Sequence, residues 1–243
     1  MTDETKEGGG TVAQDPVRAL ADATRELARS STAERIAEVL RERITAGALE
    51  PGVRLSEESI GTALRVSRNT LREAFRLLSH ERLLVHELHR GVSVARPTAT
   101  DVVDLYRARR SIELSALRGP GVPSSTALER LYAAVEEGQR CMDASDWTGI
   151  GTANMAFHRA IAALHGSTRL DEYMRQLLAE LRLVFHVMQA PRDFHAPYLS
   201  RNRKLCDLLT ERRLDQAHEY LANYLTEAED QLLTAFHDRG QTP

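Results

Sequence analysis

Residues 65–76 read RVSRNTLREAFR and place arginines three, four and four positions apart. On a helix that turns about 100° per residue, Arg68, Arg72 and Arg76 lie within an arc of about 80°. The adjoining arc is apolar and consists of Leu71, Ala74, Phe75 and Leu78. Few acidic residues lie four positions from the arginines, so we expect an open cationic face. The segment predicts a helix, through about Ser79, that packs on one side and presents positive charge on the other, although the whole chain has a formal net charge of −3.

The residues on either side of this helix add further elements. Ser67 is positioned to cap the helix, and a tight turn, LRVS, separates it from a short helix that Ser56 caps. After it, the runs LLVHEL and VSVA have β-type composition and are joined at His89, Arg90 and Gly91, which predicts a hairpin. This order of elements, helices followed by a two-stranded wing, is that of a winged helix-turn-helix domain.

The first ordered helix is expected to begin at Ser31, which forms a capping-box pattern with Glu34. Its apolar stripe is formed by Ile36, Leu40 and Ile44. Gly47 ends it, before the turn LEPG. Residues 1–31 are expected to form a tail, disordered where GGG and scattered charges occur, with at most a short helix over 16–29.

From Asp101 onward the sequence pattern is helical. Helices are predicted near 101–117, 126–143, 147–165, 168–189, 197–211 and 214–237. Ala190-Pro191 and Ala196-Pro197 are interpreted as breaks between helices. Six helices without a strand pattern predict a bundle. The predicted fold is therefore mostly α, with a winged helix-turn-helix domain at 32–97 and an all-α bundle at 98–240.

The composition limits the class of protein. Hydrophobic residues at 42% and charged residues at 28% of 243 are ordinary for a soluble globular protein. No apolar run approaches the roughly 20 residues of a membrane helix, and the amino terminus, MTDETKEGGG, lacks the apolar core of a secretory signal. Cys141 and Cys206 fit no CxxC spacing and are expected to be reduced thiols. We therefore expect a cytoplasmic protein with no membrane partner.

A cationic helix followed by a two-stranded wing predicts binding to DNA, and two other classes of function compete with this interpretation. An enzyme is disfavoured because the sequence has no GxSxG, no P-loop, no GxGxxG after a strand and no HExxH. The winged helix could instead contact another protein. Binding that weakens steeply with added salt would favour DNA, because phosphate contacts release counterions.

Residues 35–96 resemble the DNA-binding domain of GntR-type bacterial transcription regulators, through the stretches "PG.RLSEE", "VSR.TLREA.R.L" and "RG..V". The helical remainder resembles the FCD-type sensor domain of the subgroup that includes fatty-acid and sugar-acid regulators. That match lies in LYRARRSIE (105–113) and AFHRAIAALHG (156–166). The resemblance implies a homodimer, formed through the helical domain, that binds a short inverted-repeat DNA operator in response to a small effector. We expect a repressor, although the residues themselves leave repression and activation open.

The resemblance also assigns DNA contacts. Side chains at the amino end of the arginine-bearing helix would reach base edges and phosphates in the major groove, and the wing tip would meet the minor groove or the backbone. The expected DNA-binding residues are Arg54, Arg65, Ser67, Arg68, Asn69, Thr70, Arg72, Arg90 and Gly91. Glu73 is expected to pair with a nearby arginine rather than with a base.

Many proteins with this sensor domain bind a divalent metal ion through one Asp and three His, next to a carboxylate ligand. At the corresponding positions this chain has Asn154, His158, Asn202 and Tyr224, so three of the four ligands are replaced. An amide is a poor substitute for carboxylate or imidazole toward Zn²⁺ or Ni²⁺. We therefore expect no cofactor and no tightly bound metal.

The same positions could still line an effector pocket through hydrogen bonds. The resemblance points Arg109 inward, with Glu113 as the neighbouring acid, and an inward arginine suits an organic acid. The expected effector-binding residues are Arg109, Glu113, Asn154, His158, Asn202 and Tyr224. For His158 an ordinary core histidine remains an equally good interpretation.

Overall fold

The computed structural model describes residues 23–87, 91–119, 121, 123–186 and 191–238, with side chains described from residue 32 onward except at 191–193 and 195. Its elements are α1 (Ala23–Thr45), β1 (Arg54–Leu55), α2 (Glu57–Leu64), α3 (Arg68–His80), β2 (Leu84–Glu87), β3 (Gly91–Val94), α4 (Ala99–Leu117), α5 (Ser125–Asp143), α6 (Trp147–Ala162), a 3-10 turn (Ala163–His165), α7 (Thr168–His186), α8 (Pro191–Thr210) and α9 (Leu214–His237). The mostly α fold, with a winged helix-turn-helix followed by a helical bundle, is confirmed.

The first part of the chain, hereafter the head (α1 to β3), packs around the apolar face of α3. The predicted core positions of this helix are all fully buried: Leu71, Ala74, Phe75 and Leu78. They contact Ala37, Leu40 and Ile44 of α1 and the inner side chains of the sheet. Burying these four side chains gives α3 a fixed orientation, so its opposite face is presented to solvent in a defined way.

The predicted hairpin is present, and its sheet has a third strand that the sequence analysis missed. β2 and β3 are antiparallel, with Leu84 opposite Val94 and Glu87 opposite Gly91. β1 pairs with the other edge of β3, which gives the order β1-β3-β2. A two-residue strand is too short for side-chain alternation to reveal it in the sequence. Leu88, His89 and Arg90 lie outside the described residues.

The predicted start of the first helix at Ser31 is wrong. α1 begins at Ala23 and continues through Ser31 without interruption. The segment ATRELAR at 23–29 consists mainly of good helix formers, and neither Gly nor Pro interrupts the chain there, so nothing ends the helix on the amino side of Ser31. The helix thus includes part of the segment 16–29, for which a short helix was expected, and residues 1–22 lie outside the described part.

The second part, hereafter the bundle (α4 to α9), begins at a capping box. Thr98 Oγ1 accepts from the backbone N–H of Asp101, and Asp101 accepts from the N–H of Thr98. α4 packs against α9, while α5 and α6 pack against each other and both contact α8. The predicted helices agree with the observed ones to within about three residues at most ends.

The predicted break at Pro197 is wrong, because Pro197 lies inside α8. Phe194 and Tyr198, on either side of it, are buried at 3% and 4% exposure. Their rings lie 5.4 Å apart, and the Tyr198 hydroxyl donates to Gln231 over 2.8 Å. This packing offsets the backbone hydrogen bond that the proline lacks.

α7 joins the two parts of the chain. Arg182 Nε donates to the Thr45 carbonyl at the end of α1 over 2.9 Å, and His186 Nε2 lies 3.2 Å from the same oxygen. Ala179 and Leu183, on the same helix, belong to the apolar core of the head. One helix of the bundle thus supplies both polar and apolar contacts to the head. None of the helices in the described ranges is long and apolar enough to cross a lipid bilayer.

Candidate nucleic-acid interface and buried polar network

The turn between α2 and α3 fixes the amino end of the arginine-bearing helix. Arg65 adopts a left-handed conformation (φ 54°), and its N–H is bonded to the carbonyls of Gly61 and Thr62. Ser67 then caps α3, as predicted: its Oγ accepts from the Thr70 N–H over 3.1 Å and lies 2.7 Å from the Thr70 hydroxyl. The cap leaves the first N–H groups of α3 facing solvent, where a phosphate would be favoured.

The cationic face of α3 is exposed, and its arginines are paired to different degrees. No ion pair within the described residues reaches Arg68, which is exposed beside the exposed Asn69. Arg76 lies 3.9 Å from Glu73 and keeps 78% of its side chain exposed. The structure thus places Glu73 beside an arginine.

Arg72 departs from the expectation of an unpaired face. Its Nε donates to both carboxylate oxygens of Glu57 on α2, at 2.9 and 3.1 Å. The expectation considered only neighbours on the same helix, and Glu57 is 15 positions away in the sequence. Arg72 nevertheless remains 59% exposed, so its guanidinium group can still reach a ligand.

Two more arginines border the wing. Arg54 on β1 lies opposite Ser93, and its Nη2 is 3.7 Å from where a Cβ would stand on Gly91. Gly91 has φ +85°, so a side chain there would be strained. Arg96, which the sequence analysis did not single out, lies over Gly52 and lines the same surface depression as Arg54. The pairing of β1 with β3 brings these two arginines together, and without it the sequence has no signal for Arg96.

All six predicted effector residues meet in one buried network inside the bundle. Arg109 Nε donates to Glu113 over 2.9 Å, and the other Glu113 oxygen lies 2.6 Å from His158 Nδ1. His158 Nε2 is 3.0 Å from the Tyr224 hydroxyl. The chain of contacts ends at the two amides, since Asn154 Oδ1 lies 3.1 Å from the Tyr224 hydroxyl and accepts from Asn202 Nδ2 over 2.7 Å.

Burial and charge set the protonation of this network. Burial disfavours an ionised Glu113, but His158 and Arg109 together outweigh it and hold the pKa of Glu113 below its ordinary value. Burial lowers the pKa of His158; Glu113 opposes that shift and Arg109 adds to it. Burial also raises the pKa of Tyr224 well above its ordinary value, against the influence of Arg109. At neutral pH the network therefore contains a buried Arg109–Glu113 ion pair and a neutral imidazole.

The network borders a small cavity of about 10 Å³, room for about one water molecule. The rest of its wall is formed by Ala228 and by the aromatic rings of Tyr106, Phe185, Phe194 and Tyr198. Arg109 lines this cavity, and its Nη2 is buried without a hydrogen-bond partner among the described residues. A buried guanidinium donor without an acceptor is costly, so this nitrogen marks where an anionic oxygen would be favoured.

The same residues do not fit a divalent metal ion. Two of the four positions hold amides that are hydrogen-bonded to each other, Asn154 and Asn202. Tyr224 is held in its neutral form by burial, so only His158 offers an imidazole. Across the described residues, no three His, Cys, Asp or Glu side chains form a group able to hold a metal.

Comparison with known proteins agrees with this architecture. The sequence profile of bacterial regulatory proteins of the gntR family matches residues 32–94, and that of the FCD domain matches residues 104–227. A crystal structure from Rhodococcus sp. RHA1, described as a GntR transcriptional regulator, is 44% identical, with a TM-score of 0.80, and the match covers 84% of this chain and 99% of that one.

Two curated relatives carry more specific names. The Nta operon transcriptional regulator of Aminobacter aminovorans is 25% identical over 187 residues, which cover 75% of this chain and 86% of the relative. The gluconate operon transcriptional repressor of Bacillus subtilis is 36% identical over 87 residues, but these span only 36% of this chain and 35% of that relative. The two matched profiles and the structural match over 84% of the chain show that this chain belongs to the GntR family of bacterial transcription regulators and carries an FCD domain.

Proposed function

We propose that this protein is a homodimeric repressor that binds an inverted-repeat DNA operator and is controlled by a small organic acid. The observation that carries the proposal is the exposed arginine face of α3, oriented by four fully buried apolar side chains on its other side. This face would enter the major groove, with Arg68, Asn69 and Thr70 nearest the base edges. Contacts to phosphates or to the minor groove would come from five further residues: Arg54, Arg65, Arg72, Arg90 and Gly91. Ser67 would hold the amino end of α3 in place.

Salt dependence tests the DNA assignment. We would measure fluorescence anisotropy of a labelled duplex against protein concentration at several KCl concentrations. The logarithm of the affinity should fall linearly with the logarithm of salt, with a slope that reports the number of phosphates neutralised. Arg212→Ala, an exposed arginine in the bundle, is the matched control and should leave the slope unchanged. Affinity that ignores salt would favour the alternative, in which the winged helix contacts a protein.

The effector would bind where Arg109 Nη2 lacks an acceptor. A carboxylate there would complete the hydrogen bonding of a buried cation, and the polar groups from Glu113 to Asn202 would recognise the rest of the molecule. Because the cavity has room for about one water, binding an organic acid requires the aromatic wall to move outward. We also propose that the site works without a metal, which metal analysis after purification without an affinity tag would test.

α7 provides a physical connection from this site to the head. Phe185 lines the effector cavity, while Arg182 and His186, three residues before it and one after, contact the last carbonyls of α1. Outward movement of Phe185 would therefore shift the side chains that fix the head. The effector would alter DNA affinity by changing how two heads are placed in the dimer. Nothing in the network resembles an activated nucleophile, so we propose that the protein binds the effector without converting it. We also propose that it acts in the cytoplasm.

A further inference from the structure

A second cavity, of about 360 Å³, lies at the junction of the head and the bundle. We call it the junction cavity. Its walls are the end of α3 with the following turn at Glu81 and Arg82, the first turns of α4 around Asp104, and the face of α7 that includes Glu180. It shares no lining residue with the effector cavity. Its volume lies within the range of small-molecule sites, roughly 300–1,000 Å³.

Glu180 distinguishes this cavity from an ordinary surface depression. Its side chain lines the cavity and is buried, with only 7% of the residue exposed. Within the described part of the chain, no hydrogen bond or ion pair reaches its carboxylate. Its oxygens are not among the buried polar atoms that lack a partner, so the carboxylate meets the solvent inside the cavity and is accessible to a ligand.

The other charged groups around the cavity are already engaged. Glu81 accepts from Arg41 through two bonds of 2.6 Å and lies 3.5 Å from Arg175. Arg82, in a left-handed conformation (φ 57°), lies 3.8 Å from Asp104.

Asp101, which also faces this region, is used in the capping box with Thr98. His80, at the end of α3, is exposed. Among the carboxylates around the cavity, Glu180 is thus the one that makes no hydrogen bond or close ion pair within the described residues, although the charge of Arg82 acts on it from farther away.

The wall also has an apolar and aromatic patch, beside the polar side chain of Gln176. Leu105, Ala108 and Leu177 line the cavity beside Glu180. Tyr173, two turns earlier on the same face of α7, keeps 51% of its surface exposed at the rim. An aromatic face attracts an organic cation or packs against an apolar group. The cavity therefore combines a carboxylate that has no hydrogen-bond partner among the described residues with an apolar patch.

We propose that the junction cavity binds a small organic ammonium ion carrying a short apolar group, with Glu180 as its counter-ion. The ammonium donates to the Glu180 carboxylate, and the apolar group packs on Leu105, Leu177 and the Tyr173 ring. A divalent metal is a poorer occupant, because Mg²⁺ and Ca²⁺ require several oxygen ligands and the other carboxylates are already paired.

The acid–base chemistry of Glu180 agrees with this occupant. Burial is the largest influence and raises the pKa of Glu180 to about 7; Arg82 opposes the shift, while Asp101 and Asp104 add to it. Binding a cation favours the ionised carboxylate, so ammonium binding should release a proton near neutral pH and tighten as the pH rises through about 7.

Calorimetric titration and thermal melting of the full chain at pH 8 test the proposal without DNA, so the outcome is independent of the proposed regulatory function. The probes are benzylamine and, as a neutral match, benzyl alcohol. Benzylamine should bind saturably and raise the melting temperature, and benzyl alcohol should not. Glu180→Gln should weaken benzylamine at least about tenfold, because it removes the charge and keeps the shape. Glu136→Gln, an exposed residue of α5, should change nothing.

A second variant tests the need for the cavity independently of the need for the Glu180 charge. Ala108→Trp fills the junction cavity and leaves Glu180 in place, so it should abolish benzylamine binding. Melting without ligand establishes that each variant is folded. The proposal is overturned if the wild type does not bind benzylamine saturably, if benzyl alcohol binds equally well, or if either cavity variant binds benzylamine as the wild type does.

Discussion

The Nε–H of Arg72 on α3 donates to both carboxylate oxygens of Glu57 on α2, at 2.9 and 3.1 Å. The contact joins the two helices of the helix-turn-helix on the surface proposed to face DNA. It gives Arg72 a defined position and also places a carboxylate where phosphate would bind. Glu57 therefore competes with the DNA backbone for the same guanidinium group.

Glu57→Gln should tighten binding to any duplex by roughly two- to fivefold, because an exposed ion pair contributes only about 0.2–1 kcal/mol. Anisotropy titrations on operator and scrambled DNA measure it. Glu58→Gln removes the same charge from the neighbouring exposed position. If Glu58→Gln has an equal effect, the pairing with Arg72 plays no part.

Some features of the head can be predicted from the sequence because they are local. The packed face of α3 and its Ser67 cap follow from residues within one helix. The start of α1 does not follow from local signals alone, because Ser31 matches a capping pattern although the residues before it also favour a helix. β1 and the Glu57–Arg72 pair arise from contacts between elements. A strand of two residues is too short to show a pattern, and the 15 positions between Glu57 and Arg72 do not indicate that they meet.

The bundle shows the same division. Its helices follow from apolar periodicity, whereas the meeting of Glu113 with His158, or of Asn154 with Asn202, depends on how those helices pack. The family resemblance grouped these positions, and the structure brings all six into contact. The resemblance does not indicate that Arg109 Nη2 lacks an acceptor, which only the structure shows.

Glu113→Gln should destabilise the protein by about 3–5 kcal/mol, because it leaves Arg109 buried without a counter-charge. Urea unfolding at pH 7 measures the change. Glu137→Gln, a substitution of a partly exposed residue of α5, should cost less than about 1 kcal/mol. A loss of under 1 kcal/mol for Glu113→Gln would mean that the Arg109–Glu113 pair is not buried as described.

Stability should depend on pH through Glu180. Its pKa is raised in the folded state, from 4.5 to about 7, so its stabilising contribution is present below about pH 4.5 and is lost as the pH rises through about 7. Glu180→Gln cannot ionise and should be more stable than the wild type at pH 8, by about 1–3 kcal/mol. Urea unfolding at pH 5 and pH 8 gives the difference between the two proteins. An unchanged difference across this range would show that Glu180 titrates as an ordinary carboxyl group.

Arg182→Met should weaken communication between the effector site and the head. The substitution keeps the apolar stem of the side chain and removes its donors to the Thr45 and Thr148 carbonyls, at 2.9 and 3.0 Å. We expect a loss of about 1–3 kcal/mol in stability and a smaller effect of any organic-acid effector on DNA affinity. Anisotropy with and without the acid measures that effect, and an unaltered ratio would exclude this route.

The most direct test of DNA recognition by α3 is the affinity of Arg68→Ala for operator and scrambled duplexes, measured side by side. Arg68 is exposed at the amino end of α3, and no ion pair within the described residues reaches it. We predict a loss of roughly 1–3 kcal/mol on the operator, a much smaller loss on scrambled DNA, and weaker discrimination at one base pair. Unchanged operator affinity in a folded Arg68→Ala protein would contradict the assignment of α3 as the helix that reads the DNA.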